Sequence, residues 1–439
     1  MSEHGLRRTL GPVMLWGLGV GYVISGEYFG WNLGLPLGGT GGMLIATLMI
    51  TLMYVAFVLS YAELAAAMPR AGGVFVYADR ALGPYPGFLA GLVQVIEFVF
   101  APPAIAMAIG AYVQQRFPSL DPMMVAIPAY FLFTALNAWG VKQAAVFELV
   151  VTVLAVAELL LFIGITAPAF EMKNLTRNAL PNGWSGAFAC LPFAIWFYLA
   201  IEGVANAAEE ARDPQRTVAL GFGAAIFTLV VLALGVFFTS VGVAGWEAVV
   251  HAPGSSEASD APLPLALAHV VGRDHVLYSM LLGMGLLGLI ASFHGIILAA
   301  GRATMELGRS GLFPRVLGRV HPATRTPVVA LFANLIVGIV AIVSGKTGEI
   351  ITLACFGALS LYILAMLSLF ALRAKEPDLP RPFRAVAYPL FPSLALLIAT
   401  VSLVAMTWFN LAIAGVFAGL VALGSAWYFA VARPRSPSD

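Results

Sequence analysis

Residues 17–30 read GLGVGYVISGEYFG and lie inside the first long apolar stretch, roughly 12–35. A glutamate at the midpoint of a membrane-length run is expensive, about 2.5–3.5 kcal/mol on insertion scales. Glycines at 19, 21, 26, 30 and 34 surround it. A carboxylate set among glycines points to an interrupted helix whose freed backbone groups line a cavity. Ser25, Gly26 and Glu27 therefore read as one half of a substrate site.

The bulk of the chain fits a membrane protein. Of its 439 residues, 60% are hydrophobic and 10% charged, against about 25% charged in soluble domains. A net charge of +1 gives no reason to expect nucleic acid as a partner. Cys190 and Cys355 sit in apolar surroundings and offer neither a disulfide framework nor metal-ligand spacing. No H-E-x-x-H, no G-x-S-x-G and no cofactor motif is visible, so an enzyme is not expected and no cofactor is assigned. Arg7 and Arg8 precede an apolar segment too long for a cleavable signal.

Twelve apolar runs have about the 20 residues that a ~30 Å hydrocarbon core requires. They are 12–35, 41–67, 84–113, 122–139, 143–168, 185–209, 215–243, 275–305, 327–344, 348–372, 386–408 and 411–431. Segments 169–184 and 244–274 read as wet loops on one side. With this assignment 18 of the 23 Lys and Arg fall on the side of the N-terminus and 5 on the other. That asymmetry puts both termini in the cytoplasm of a multi-pass protein of the inner (plasma) membrane.

The runs carry a weak internal echo. Gly26-Glu27 in the first is matched by Glu202-Gly203 in the sixth. A unit of five spans is odd, so its second copy is inverted in the membrane. The chain then divides into a tail (1–11), a first five-helix unit (12–168), a second, inverted unit (185–372), two further helices (386–431) and a tail (432–439).

Four stretches now carry a resemblance. They are GLGVGYVISGEYFG (17–30), YAELAAAMPRAGGVFVYADRALGPYPGFLAG (61–91), WFYLAIEGVANAAEEARDPQR (196–216) and, more weakly, GRATMELGRSGLFPRVLGRVHPATRTP (301–327). Together they resemble the amino acid–polyamine–organocation (APC) transporters. The resemblance implies an all-α membrane fold of the LeuT-like kind, with twelve helices, broken helices 1 and 6, and a five-plus-five inverted repeat. Within that group ISGEYFGWNLGL, IEFVFAPPAIAMAIGAYV and LAIEGVANAAEE are similar to bacterial ethanolamine permeases.

Amino acid carriers of the group bind the substrate carboxylate on bare amides at the first break, often written G-S-G. Here the matching residues are Ser25-Gly26-Glu27, with glutamate in place of the last glycine. An ionised Glu27 repels a carboxylate and stabilises an ammonium, which favours an amine; the competing role is to accept hydrogen bonds from neighbouring backbone. Glu97, midway along the third run just before Pro102-Pro103, is a candidate for substrate contact or proton carriage. Glu202, with Gly203, is either a substrate ligand or a structural gate. Tyr28, Trp196, Phe197 and Tyr198 flank the two breaks, and an ammonium over such rings gains about 0.5–2 kcal/mol. Glu148 reads as nearer the cytoplasmic end and water-exposed. Glu63, Glu209 and Glu210 read as inner charges paired with arginines such as Arg70, Arg80 or Arg212.

For coupling, sodium-driven relatives use hydroxyls of the eighth span. LIASFHGIILAAGR (289–302) offers Ser292 and then His294, a poor sodium site. A fifth-span lysine used by some proton-coupled relatives falls near Ala155 and is lacking. His294, Glu158 and Ser292 remain as coupling candidates, with protons as the ion, since an imidazole titrates near neutrality. Uncoupled flux also stays open, because a membrane potential alone favours cation entry by ~2.3 kcal/mol per 100 mV. The expectation is a secondary-active permease importing a small primary amine, ethanolamine first. An amino acid or polyamine permease of the same group is the alternative.

Overall fold

The computed structural model describes residues 10–70, 72–140, 144–344 and 346–432; the expected tails, 1–11 and 432–439, lie almost wholly outside them. Among the described residues the chain is helical, with two isolated bridges and no strand. The principal helices are α1 (Pro12–Val23), α2 (Leu35–Ala67), α3 (Pro84–Arg116), α4 (Pro122–Trp139), α5 (Ala144–Thr166), α6 (Leu191–Trp196), α7 (Pro214–Ala244), α8 (Val276–Arg309), α9 (Val328–Ser344), α10 (Thr347–Lys375), α11 (Leu390–Phe409) and α12 (Leu411–Trp427). Prolines open α1, α3, α4 and α7 in the first turn, where their missing N–H has no partner to lose. At the start of α4, Asp121 also accepts the Met123 N–H at 2.8 Å. The Pro102-Pro103 pair does not interrupt α3, which runs helical through it.

Nine described helices are long and apolar enough to cross a membrane, and a tenth is formed if the bent pair Gly183–Ala189 and Leu191–Ala207 counts as one span. Pro12–Val23 and Val328–Val343 are shorter apolar helices at the places expected for the first and ninth runs. Leu48, Val153, Phe227, Val404 and Trp408 point outward, which suits a lipid surround.

The first break is displaced from where the glycine pattern puts it. After α1 the chain makes one more helical turn, Ser25–Tyr28, and parts from the helix at Phe29, which is extended, and Gly30, at φ +90°. Residues Trp31–Gly34 then lead into α2. The second break follows α6. Ala200 has φ +76°, a conformation that costs a residue with a side chain about 1–3 kcal/mol.

The two breaks lie against one another. A Cβ on Gly26 would collide with the Trp196 carbonyl oxygen, and one on Gly30 with the Trp196 indole. Glycine is the residue that lets these backbones meet. A second tie joins the same pieces at the N-terminal end of α1, where the Arg212 N–H donates to the Leu10 carbonyl at 3.0 Å.

The connection 244–274 is more than a wet loop. It folds into short helices Trp246–Val250 and Pro262–Val271, both with buried apolar residues. The Asn32 side-chain amide donates to the carbonyls of Ser259 (2.8 Å) and Val249 (3.4 Å), so this connection fastens onto the chain just beyond the first break. Asp260 accepts from Thr347 Oγ1 at 2.5 Å.

At one end of the bundle Glu63 is buried and saturated. Arg373 binds it through two nitrogens, Arg381 Nε lies 3.0 Å from Oε1, and the Ala385 N–H donates at 2.7 Å. Arg373 also stacks on Tyr388, 3.8 Å from the ring centre. The sequence points Glu63 to arginines such as Arg70, Arg80 or Arg212. The actual partners are on α10 and beyond it, and Arg80 binds Glu376 instead. The side chains of Glu209 and Glu210 lie outside the described residues.

Three outcomes follow from these contacts. Gly26→Ala should lower the midpoint of thermal unfolding in detergent, because overpacking against a fixed carbonyl costs about 1–3 kcal/mol and exceeds the ~1 kcal/mol helix preference for alanine. Glu63→Ala should cost about 3–5 kcal/mol, the usual penalty for removing one partner of a buried ion pair; a midpoint unchanged from wild type would contradict the clamp. Asp260 supplies a pH signature. Burial pushes its carboxyl up to about 6. The folded state thus holds this proton more tightly than the unfolded one, whose value is near 3.9. The stabilisation is complete below the unfolded value and is lost as pH rises through the folded one. A midpoint falling over that window in wild type, and flattened in Asp260→Asn, is the expected record.

Candidate functional site

Glu27 sits in the extra turn after α1, fully buried, and neither carboxyl oxygen has a hydrogen-bond partner. Its backbone carbonyl accepts from Trp31 Nε1 at 3.2 Å. The hydrogen bonds from neighbouring backbone that would satisfy its side chain are not made among the described residues, and a buried polar group without a partner is costly. Tyr28 and Tyr198 lie within its electrostatic reach.

Of the aromatics expected at the breaks, Trp196, Phe197 and Tyr198 make ring contacts in this region, and Tyr28 does not join them. Trp196 packs edge-on against Phe29 (5.4 Å between ring centres), and its buried Nε1 is unpartnered. Phe197 stacks on Trp31 at 5.9 Å. Tyr198 tilts against Tyr54 at 5.1 Å and shares a 2.7 Å hydrogen bond with Thr51. The rings thus come from the first break (Phe29, Trp31), the sixth-span segment (Trp196, Phe197, Tyr198) and α2 (Tyr54).

The remaining candidates fall into separate networks. Ser25 and Ser292 meet at 2.9 Å, and Ser292 also donates to the Tyr22 carbonyl at 2.9 Å, joining α8 to the end of α1. Gly203 gives room to the Tyr22 ring. Tyr28 turns away from Glu27 and donates to Glu158 at 2.6 Å, while Tyr112 donates to the Tyr28 carbonyl at 2.9 Å. Glu158 and Tyr112 line a cavity of about 10 Å³, the space of roughly one water. Glu97 lies within electrostatic reach of Glu202, and Tyr362 donates to Glu202 at 2.9 Å. His294 stands 3.1 Å from the Asn137 amide, with the Phe133 ring beside it. It faces α4, so the structure does not bring it to the buried glutamates among the described residues.

One residue was misread. Glu148 is 4% exposed, not bathed in water. It lies between Gly21 of α1 and Gly295 of α8, with Oε1 unpartnered. The glycine at 21 was visible in sequence, but the facing glycine 274 residues later was not paired with it.

The chain has known relatives in sequence. The family model described as "Amino acid permease" matches residues 10–431. An uncharacterized transporter of Rhizobium meliloti is 31% identical over 88% of this chain and 83% of its own length. The branched-chain amino acid permease BcaP of Bacillus subtilis is 26% identical over 99% of the chain and 95% of its own length. The low-affinity putrescine importer PlaP of Escherichia coli is 25% identical, covering 85% and 84%. A match along almost the whole helical bundle, on a fold whose two helix breaks face one another, makes this chain a transporter of the amino acid permease family, within the APC superfamily.

Proposed function

We propose that this permease carries a small primary amine, ethanolamine before others, by alternating access in the cell membrane. The observation that carries the reading is Glu27: a fully buried carboxyl without a hydrogen-bond partner, beside the first break, with Tyr198 within its electrostatic reach and the Phe29–Trp196 ring pair at the same break. An ammonium supplies the missing charge, and the rings supply cation–π attraction. A zwitterionic amino acid would bring its own carboxylate against Glu27. The putrescine importer among the relatives is a precedent for a cationic amine on this family's frame.

The same reading takes twelve spans, both termini cytoplasmic, and helices 12–168 and 185–372 as inverted halves, which places the broken helices at the midplane. Ser25, Gly26 and the carbonyls freed at the breaks orient the amine's hydroxyl and ammonium. The amino acid reading is favoured by the likeness to the branched-chain permease and makes the opposite forecast in competition.

Labelled ethanolamine uptake into proteoliposomes tests both. An ion pair at ~4 Å is worth about 4 kcal/mol at an effective dielectric near 20, so Glu27→Gln should cut uptake at least tenfold while the protein remains monodisperse. Ethanolamine should raise the unfolding midpoint of wild type, and leucine or alanine should neither raise it nor compete. Unimpaired uptake in Glu27→Gln removes the charge-pairing account; competition by the amino acids alone moves the assignment to the alternative.

A further inference from the structure

Glu158 of α5 anchors a second polar cluster, which does not include the Glu27 carboxyl. It is buried, and its Oε2 accepts from the Tyr28 hydroxyl at 2.6 Å. Tyr112 of α3 donates to the Tyr28 carbonyl at 2.9 Å, and its ring stands edge-on to that of Tyr28 with 6.5 Å between centres. The backbone of α8 makes room for this arrangement. A Cβ on Gly288 would strike the Tyr28 hydroxyl and ring, and one on Gly285 would press on both tyrosines. These two glycines leave the slot through which Tyr28 reaches Glu158.

The cluster adjoins the cavity of about 10 Å³ that Glu158 and Tyr112 line. Tyr278, in the first turn of α8, lines it as well, and its hydroxyl is buried without a hydrogen-bond partner. The other walls are apolar, with Phe162, Leu281 and Leu282 on the long helices and Leu267 on the short helix Pro262–Val271. Among the described lining residues Glu158 alone carries a charge. Arg273, within electrostatic reach of Tyr278, is exposed and lies outside the lining.

These walls select a ligand by charge, size and donor type. The side-chain polar atoms of the lining are oxygens, one carboxyl and two phenols, and oxygen donors suit hard cations. One carboxylate balances one positive charge, whereas a divalent ion would leave net charge in an apolar surround. The volume is near the lower limit for one water. It takes a single stripped ion, favours sodium over the larger potassium, and is too short for the carbon chain of ethanolamine. We propose that Glu158, Tyr112 and Tyr278 form a binding site for one monovalent metal cation of sodium's size. The site adjoins the first break through Tyr28, the residue after Glu27, and leaves the Glu27 carboxyl to another ligand.

The experiment uses the full chain in detergent. Equilibrium binding of radioactive sodium is measured with ionic strength held by N-methylglucamine chloride, and the unfolding midpoint is followed in the same titration. Wild type should bind one sodium ion per chain. Its midpoint should rise with sodium and not with N-methylglucamine, because a ligand of the folded state stabilises that state. Glu158→Gln removes the charge while keeping an oxygen for the Tyr28 hydroxyl, and should abolish both signals. Tyr278→Phe keeps the ring and should weaken sodium binding by about tenfold, the usual worth of a polar contact to a charged group. Ethanolamine added to wild type should not displace the ion.

A wild type that binds no sodium overturns the site. Binding that persists unchanged in both variants overturns the assignment to this cavity. Binding lost in Ser292→Ala but kept in Glu158→Gln moves the ion to the junction of α1 and α8, which also overturns it. Displacement by ethanolamine gives the cavity to the amine and removes the metal ion. If Glu158→Gln fails to fold, Tyr278→Phe still decides. Sodium binding is read without transport, so its failure leaves the Glu27 reading of uptake standing, and failure of ethanolamine uptake leaves the ion site standing.

Discussion

Backbone and carboxyl groups cut off from water must find partners inside the protein or remain costly, and this constraint organises the molecule. Helices satisfy their own peptide groups. Where the chain leaves the helix, at Phe29–Gly30 and after Trp196, the freed groups must be met by something else. The structure answers by bringing the two irregular segments together. Gly26 yields its side-chain volume to a carbonyl of the opposite break, and indole and phenyl rings close over the junction. The same constraint leaves the Glu27 carboxyl unmatched beside that junction.

Buried acids are distributed, not pooled. Glu27 lies at the breaks, Glu158 is held by Tyr28, Glu97 and Glu202 lie within electrostatic reach of each other, and Glu148 sits between two glycines. Each occupies its own set of neighbours on different helix pairs. Tyrosine is the recurrent companion, offering one hydroxyl donor without a competing positive charge.

Much of the fold was legible in the sequence because a membrane span has one dominant signal, a long apolar run. The bounds predicted for 84–113, 122–139 and 215–243 fall within a few residues of α3, α4 and α7. The breaks were legible as glycines around a charge, though the parting point lies at Phe29–Gly30 and not at Gly26 itself. What was not legible depends on contacts distant in sequence. Nothing near Glu63 announces Arg373 and Arg381, more than 300 residues away. His294 reads as a coupling group because imidazole titrates near neutrality, yet its orientation toward Asn137 is a matter of helix rotation, which a helix apolar on most sides does not encode in its pattern. The connection 244–274 reads as wet from PGSSEASDAP, while the apolar PLPLALA that follows it is what buries.

The bridge between Leu10 and Ala211, with the Arg212 N–H on the Leu10 carbonyl, gives the junction of the breaks a second fixed point. Two rods pinned at one place can scissor; pinned at two, they turn as one lever. The first helix and the segment beyond the second break are held both at Gly26 and at their shared end. Displacement at the junction is then passed to that end with little slack. The torque needed to start such a turn is set by whatever holds the lever to the neighbouring helices, and not by the stiffness of either rod.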